Sequence, residues 1–233
     1  MKYLKTISTA LFIICVPPLL LTGGIALALN SPWLYAGGFE KYGISQATGL
    51  EPAELEKAAR GLIAYFNSPA EDIDITVTKD GAPMPLFNEK EIAHLRDVKA
   101  LFWLDYRVLL YTLVYALLYA GVCLFRWRSR RRLARGLLGG GGFTLALIVL
   151  LGIGIALNFE ALFWQFHLII FANDFWLLDP SRDYLIMLFP QGFWYDTALF
   201  CTAVTAAGAV LLAGTGVCLR LVGNKDSLRH LME

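Results

Sequence analysis

The sequence predicts an α-helical membrane protein: four transmembrane helices, a small α+β extracytoplasmic cap, and interfacial or re-entrant helices beside it. Three observations lead there. The 233 residues are 57% hydrophobic and only 17% charged, with mean hydropathy +0.57, whereas a soluble domain carries about 25% charged residues. Four runs reach the length of about 20 mostly apolar residues that a helix needs to cross hydrocarbon. Basic and acidic residues segregate to opposite sides of those runs. The composition argues against a soluble enzyme and against a disordered chain, which is highly charged and poor in apolar residues. A net charge of +1 speaks against a nucleic-acid partner, since a strongly basic face needs an acidic face elsewhere.

Residues 1–29 form the first helix, its apolar run at 7–29 following Lys2 and Lys5. Ala26-Leu27-Ala28 has the look of a signal-peptide cleavage site. The apolar run exceeds the roughly 7–15 residues of a signal core, so the helix is read as retained. Pro17-Pro18 is expected to bend it, with the freed carbonyls met by neighbouring helices. Residues 106–125, 136–157 and 193–219 are the other spans, with a basic loop at 126–135 and a tail at 220–233. Of the 20 Lys and Arg and 19 Asp and Glu, 11 and 2 fall before the first span, in that loop and in the tail, leaving 9 and 17 elsewhere. Basic connections stay in the cytoplasm. Both termini are therefore expected there, with 30–105 and 158–192 outside. The arginine run at 126–132 reads as a topology determinant touching anionic lipid rather than a nucleic-acid patch. Gly139–Gly142 is not followed by Gly-Lys-Ser/Thr, so it reads as close helix packing rather than a phosphate loop. Cys15, Cys123, Cys201 and Cys218 all fall inside predicted spans, which leaves no exported disulfide framework and no zinc spacing. Small-residue pairs such as Ala209 and Ala213 are too common in spans to define an oligomer.

The 30–105 segment is too long for a mere connection. Residues 51–67 read as an amphipathic helix, with Pro52 in the first turn and Leu55, Ala59, Leu62, Ile63 and Phe66 at helical spacing. Residues 73–78 alternate and are β-branched, which predicts a strand. Asp80-Gly81 is a hairpin turn and 84–87 the return strand. Asn88 with Glu91 makes a capping-box-like start to a helix running from Glu89 towards Trp103 and on into the second span. On that helix Leu95, Val98, Leu101 and Phe102 share a face. His94 points with them, and Asp97 sits at the edge of the face, one turn on. His94 is either a border residue tolerated on a packed helix or a functional group.

Residues 159–172 are nearly unbroken apolar, too short to span, and end at Asn173-Asp174. Asp179-Pro180 marks a turn, and 184–189 is a second short apolar piece stopped by Pro190. Trp164, Trp176, Trp194 and Tyr195 are of the types that settle at headgroup level. Both pieces read as interfacial or re-entrant helices on the outer leaflet. His167, Asp174, Asp179, Arg182 and Asp183 are then ionisable groups at membrane depth, which are functional candidates by default. Of three histidines, His230 in the tail is read as solvated, while His94 and His167 share the outer side. Imidazole exchanges its proton within the physiological range, so this pair points to acid–base chemistry on a lipid-like substrate.

Two stretches carry a family resemblance. The first is Leu86-Phe87-Asn88-Glu89-Lys90-Glu91-Ile92-Ala93-His94-Leu95-Arg96-Asp97-Val98-Lys99. The second is Phe166-His167-Leu168-Ile169-Ile170-Phe171-Ala172-Asn173-Asp174-Phe175-Trp176-Leu177-Leu178-Asp179-Pro180, continuing to Asp183 and Phe189-Pro190. Together they resemble the lipoprotein intramolecular transacylase family of small bacterial integral membrane proteins. The resemblance implies an acyltransferase of the bacterial inner membrane, its site on the outer face among membrane lipids, whose partners are diacylglyceryl-modified lipoproteins. It implies transfer of the sn-2 acyl chain of the diacylglyceryl-cysteine to that cysteine's own α-amine, giving a lyso-form N-acylated lipoprotein. It also implies that His94 and His167 are catalytic. From acid–base chemistry, His167 is assigned as principal base and His94 as its proton partner or an oxyanion donor. This chain has His94-Leu95 where the family motif has His-Met, a swap that keeps an apolar side chain. No metal or other cofactor is called for.

Asp97, Asn173, Asp174, Asp179, Arg182, Asp183 and Trp176 are the supporting or orienting candidates. Asp174 or Asp183 would either orient an imidazole, as the acid of a triad does, or cap a short helix and pair with Arg182. Asn173 is a candidate oxyanion donor. Tyr111, Tyr115 and Tyr119 recur every fourth residue and either line an acyl groove or pack helices. Two rival readings use the same residues. A metal-dependent hydrolase would take both histidines and two aspartates as ligands, although no His-Glu-x-x-His pair is present. A non-enzymatic assembly or sensor subunit would use 159–172 as a docking surface.

Overall fold

The computed structural model describes the backbone of residues 2–232 and the side chains of residues 3–222. The expectations for His230 and for the basic side chains at 225 and 229 lie outside the described side chains. Elements follow in the order α1 Lys2–Leu29, α2 Pro32–Lys41, α3 Ile44–Thr48, α4 Pro52–Phe66, β1 Thr76–Lys79, β2 Ala82–Pro85, α5 Glu89–Gly121, α6 Arg130–Ile170, α7 Tyr184–Leu188 and α8 Gln191–Met232. Among the described residues four helices are long and apolar enough to cross a membrane: Tyr3–Leu29, Glu89–Arg126, Arg130–Ile170 and Gln191–Val222. The chain divides into two units. One holds Met1–Ile25, Asp105–Ile153 and Phe200–Glu233, the other Ala26–Leu104 and Gly154–Leu199.

The first unit is helical. Phe12, Val16, Tyr119, Cys123, Leu133 and Leu137 form its buried cluster. Tyr119 stacks on Phe12 with ring centroids 4.4 Å apart, and its hydroxyl lies 3.0 Å from that of Thr9. The Tyr115 hydroxyl donates to the Ser8 carbonyl at 2.9 Å, and Tyr111 is exposed. Helix packing is thus what Tyr115 and Tyr119 do. The helix of α1 runs on through Pro17-Pro18. After α5 a π turn, Val122–Arg126, leads into a short connection. The expected loop at 126–135 is shorter than predicted: Arg130, Arg131, Arg132 and Arg135 already belong to α6, in keeping with arginine's high helix propensity.

The glycine run serves close packing, as expected. A Cβ at Gly139 would lie 2.7 Å from the Ile13 side chain, at Gly140 2.6 Å from Val16, and at Gly141 2.6 Å from the Ala209 backbone carbonyl. At Gly142 nothing lies within 4 Å. A backbone oxygen cannot rotate away, so Gly141→Ala is expected to destabilise by about 1–3 kcal/mol, the usual cost of overpacking. Gly142→Ala should be neutral. Thermal unfolding of the two variants in detergent, side by side, checks both.

The second unit contains the α+β cap. In 73–78 the buried Ile73, Ile75 and Val77 alternate with exposed Asp74, Thr76 and Thr78, but the strand itself is Thr76–Lys79 rather than the predicted 73–78, because its ladder partner, Ala82–Pro85, is only four residues long. Asp80 (φ 52°) and Gly81 (φ 79°) both adopt the left-handed region, which is the signature of a type I′ hairpin turn. That two-residue turn sets Ala82 opposite Lys79. The return strand therefore starts at Ala82, two residues before the predicted Met84. The Leu86 amide donates to the Ile75 carbonyl at 2.8 Å and extends the pairing. The core gathers Ile44, Leu50, Leu62, Val77, Leu86, Leu95 and Leu188, with Leu185 and Phe189 at its edge. The 184–189 piece was expected to lie as an interfacial helix. It instead forms α7 and buries Leu185 and Leu188 in this core. In 159–172 the helix is a separate stretch. Asn158 leaves helical geometry (φ −162°, ψ 84°), and its side-chain oxygen accepts the Ala161 amide at 2.9 Å. An N-cap of this kind starts a new helix, and that helix carries His167.

Candidate active site

The site grows from the first turns of α5. Asn88 caps the helix reciprocally with Glu91. The Asn88 side-chain oxygen accepts the Lys90 and Glu91 amides at 3.0 and 3.1 Å, and the Glu91 carboxylate accepts the Asn88 amide at 2.8 Å. This is the predicted capping box, here with asparagine in place of Ser or Thr. Asn88, Glu91, His94 and Asp97 follow at intervals of three, so each step turns about 60° around the helix and the four sweep across the side that meets the returning segment. Each meets the returning segment 167–185. Asn88 Nδ2 donates to Asp183 at 2.9 Å, and Glu91 accepts the Leu185 amide at 2.6 Å. His94 faces His167, and Asp97 accepts from Asn173 Nδ2 at 2.8 Å.

The two imidazoles are buried, at 7% and 9% exposure, with ring centroids 6.2 Å apart and planes tilted by 33°. Aromatic side chains wall the His167 ring: Phe163 at 4.4 Å, Trp176 at 5.0 Å, Phe166 at 5.3 Å and Phe171 at 5.5 Å between centroids. Phe171 also meets the His94 ring edge-on at 5.0 Å. His167 Nδ1 lies 2.7 Å from the Phe163 carbonyl oxygen. A carbonyl only accepts, so Nδ1 carries the proton, and in the neutral ring Nε2 keeps its lone pair. His94 Nδ1 is buried without a hydrogen-bond partner. Buried polar atoms are nearly always paired in folded proteins, so an unpaired ring nitrogen beside a second imidazole marks His94 as a candidate functional group. The arrangement offers one oriented base and one unsatisfied ring nitrogen in a largely apolar, aromatic recess.

The remaining candidates divide. Trp176 lies against His167, and Asp97, one turn on from His94, pairs with Asn173. Asp183 is 1% exposed, but its carboxylate accepts from Asn88 Nδ2 and from the Asp179 amide at 2.7 Å. Asp174 is exposed. Neither aspartate orients an imidazole, because the Phe163 carbonyl already fills that role at His167. Asp179 is a turn residue. The Ser181 backbone amide and hydroxyl, at 2.9 and 2.7 Å, hold its carboxyl below the usual carboxylate range. Arg182 is 69% exposed and lies 3.7 Å from both Asp179 and Asp183. Asn88, Lys90, Arg182 and Asp183 line a cleft of about 300 Å³. Among the described residues, no group of three His, Cys, Asp or Glu side chains comes together as a metal-ligand set. The Glu91–Leu185 bond and the Phe163 carbonyl were not anticipated. Signals for both exist: the three-residue stripe through His94, and the four-residue step from Phe163 to His167.

Four apolar helices and a cap that buries two facing imidazoles define a multi-pass membrane protein with a histidine site. Residues 10–194 match the family of the lipoprotein intramolecular transacylase Lit. The chain belongs to that family and is an acyltransferase. A relative from Aquifex aeolicus (strain VF5), an uncharacterized protein, is 30% identical over 172 residues, covering 72% of this chain and 74% of its own length. The membrane-integral Lit structure of Bacillus cereus superposes with a TM-score of 0.84 at 21% identity, over 97% of this chain and 100% of that one. A variant of the same protein with one histidine replaced by arginine superposes at a TM-score of 0.77, also at 21% identity, over 97% and 96%.

Proposed function

We propose that the protein moves the sn-2 acyl chain of a bacterial lipoprotein's diacylglyceryl-cysteine onto that cysteine's α-amine, with His94 and His167 as the acid–base pair. The observation that carries this reading is the buried pair of rings 6.2 Å apart, one fixed in its tautomer and one with an unpaired nitrogen. Only the neutral α-amine attacks an ester. In the proposed step the amine nitrogen bonds to the sn-2 carbonyl carbon and loses a proton to His167 Nε2. The carbon–oxygen bond to the glyceryl sn-2 position then breaks, and that oxygen leaves as a hydroxyl after taking a proton from an imidazolium. Donor and acceptor belong to one molecule, so effective molarity is already high. The enzyme's share is orientation, proton transfer and exclusion of water from the ester. The aromatic wall around His167 suits the last task.

The asymmetry of basic residues supports an orientation with both termini in the cytoplasm and the cap outside, where mature lipoproteins reside. Mass spectrometry of lipoprotein N-termini tests the reading. Cells expressing the protein are expected to carry N-acylated lyso-lipoproteins. Cells expressing His94→Ala should make the membrane protein in normal amount and show at least about 100-fold less product, the lower range for a lost acid–base group. Unchanged N-termini with the wild-type protein would overturn the proposed transfer from the sn-2 position to the α-amine.

A further inference from the structure

We infer that the Asp97–Asn173 hydrogen bond is a strap that sets the spacing of the two imidazoles, and that Asn173 is a positioning residue rather than an oxyanion donor. The inference rests on the two-histidine reading above and deepens it. Asp97 stands one helical turn beyond His94 on the same side of α5, and Asn173 stands six residues beyond His167, just past the end of α6. Their bond is 2.8 Å long and joins the helix that carries His94 to the segment just beyond the helix that carries His167, and the Asp97 carboxylate is close enough to His94 to act on its charge. The other Asn173 atom is used as well: its Oδ1 accepts the Phe175 amide at 3.1 Å. That second bond fixes which end of the amide faces Asp97, with Nδ2 as donor and the carboxylate as acceptor. Phe175 precedes Trp176, whose ring covers His167. One side chain thus ties the base's cover and the partner histidine's helix to a single point. On the same helix, Lys90 Nζ donates to the Leu177 carbonyl, two turns away from Asp97.

An exchange of the two side chains separates the strap from a direct role in chemistry. Full-length protein is assayed on a diacylglyceryl lipopeptide in lipid–detergent micelles, reading kcat and KM separately and thermal unfolding on the same samples. Asn173→Asp sets two carboxylates against each other. It is expected to lower kcat about 100-fold, the effect of misplacing a reacting group by roughly 1 Å, with KM within about twofold. Asp97→Asn leaves an amide oxygen for Asn173 to donate to, so its loss is expected to stay within about tenfold. The double exchange Asp97→Asn/Asn173→Asp restores donor and acceptor with roles reversed, and the new carboxylate at 173 still takes the Phe175 amide. Its kcat is expected within about fivefold of wild type. If the double exchange stays as impaired as Asn173→Asp, Asn173 acts on the substrate itself and the strap is wrong. If rate losses merely follow losses of folded protein, the bond is structural and the inference also falls. His94→Ala and His167→Ala are run in parallel. Wild-type rates in both would overturn the two-histidine reading, whereas inactive histidine variants with no recovery in the exchange would overturn the strap alone.

Discussion

Replacement of His167 by alanine is expected to lower the transfer rate about 10³-fold, near the middle of the 10²–10⁴ range for a general base. The reason lies in the ring's fixed state. Its Nδ1 proton is committed to the Phe163 carbonyl at 2.7 Å, so the lone pair on Nε2 is held in one direction without cost at the moment of reaction. Alanine removes the base and also empties a space against Phe163 and Trp176, at 4.4 and 5.0 Å. A second variant separates these effects. His167→Phe keeps an aromatic ring in that wall but has no nitrogen, so it is expected to unfold near the wild-type temperature and to be as inactive as His167→Ala. Single-turnover formation of N-acylated lipopeptide gives the rate, and thermal unfolding gives the fold. A His167→Phe variant that kept a tenth of the wild-type rate would remove His167 from proton transfer. His94 lacks a comparable anchor, so its loss is expected to cost no more than that of His167.

What the sequence made legible was whatever local periodicity encodes. The alternation from Ile73 to Val77 marks a half-buried strand, and the pairing of Asn88 with Glu91 marks a helix start. The alternation of burial stands as read, although the paired strand is Thr76–Lys79 rather than 73–78, and the helix start stands too. So does the break before Phe159, because asparagine ends one helix and caps the next. The four apolar runs announced themselves by composition. The misses have a common physical cause. Helices α2 and α3 were not read at all: Gly37 and Gly38 weaken the local signal, and these turns are held by packing across the chain. Tyr35 and Phe39 lie against Phe189 at 5.9 and 5.8 Å, and a Cβ at Gly38 would come within 2.4 Å of the Phe193 ring. For 184–189, composition alone points to an interfacial helix, because an apolar stretch that faces lipid and one that faces a core look alike. At the site, the two histidines were legible from chemistry and from the motifs around them. The acidic residues were harder. Asp174 and Asp183 are equally suited to orient a ring as types, and only the structure reveals that Asp183 is spent on Asn88 and on the Asp179 amide. Partners separated by some 75 to 95 positions, as in Asp97–Asn173 and Glu91–Leu185, leave no trace in local pattern.

Loss of Glu91 is expected to have the largest effect on stability of any single carboxylate in the cap. Its side chain is 1% exposed and each oxygen serves a different amide: Oε1 takes Leu185 at 2.6 Å, and Oε2 takes Asn88 at 2.8 Å. One bond closes the start of α5, and the other pins the start of α7 to it. Glu91→Ala leaves the Leu185 amide buried without a partner and opens the capping box. Hydrogen bonds to a charged acceptor contribute about 1.5–3 kcal/mol each, and an unmet buried donor adds its desolvation. A total of at least about 3 kcal/mol is therefore expected, read as a fall of at least roughly 6 °C in unfolding temperature for a chain of this size. Glu91→Gln is expected to fall between, since its amide offers one acceptor where two donors wait. Glu56→Ala makes the comparison, because the Glu56–Arg60 pair at 2.5 Å is exposed on both sides, and such pairs contribute about 0–1 kcal/mol. If Glu91→Ala unfolded within a degree of Glu56→Ala, the polar stripe along α5 would not hold the 167–185 segment. The placement of His94 opposite His167 would then rest on the Asp97–Asn173 bond and the aromatic wall.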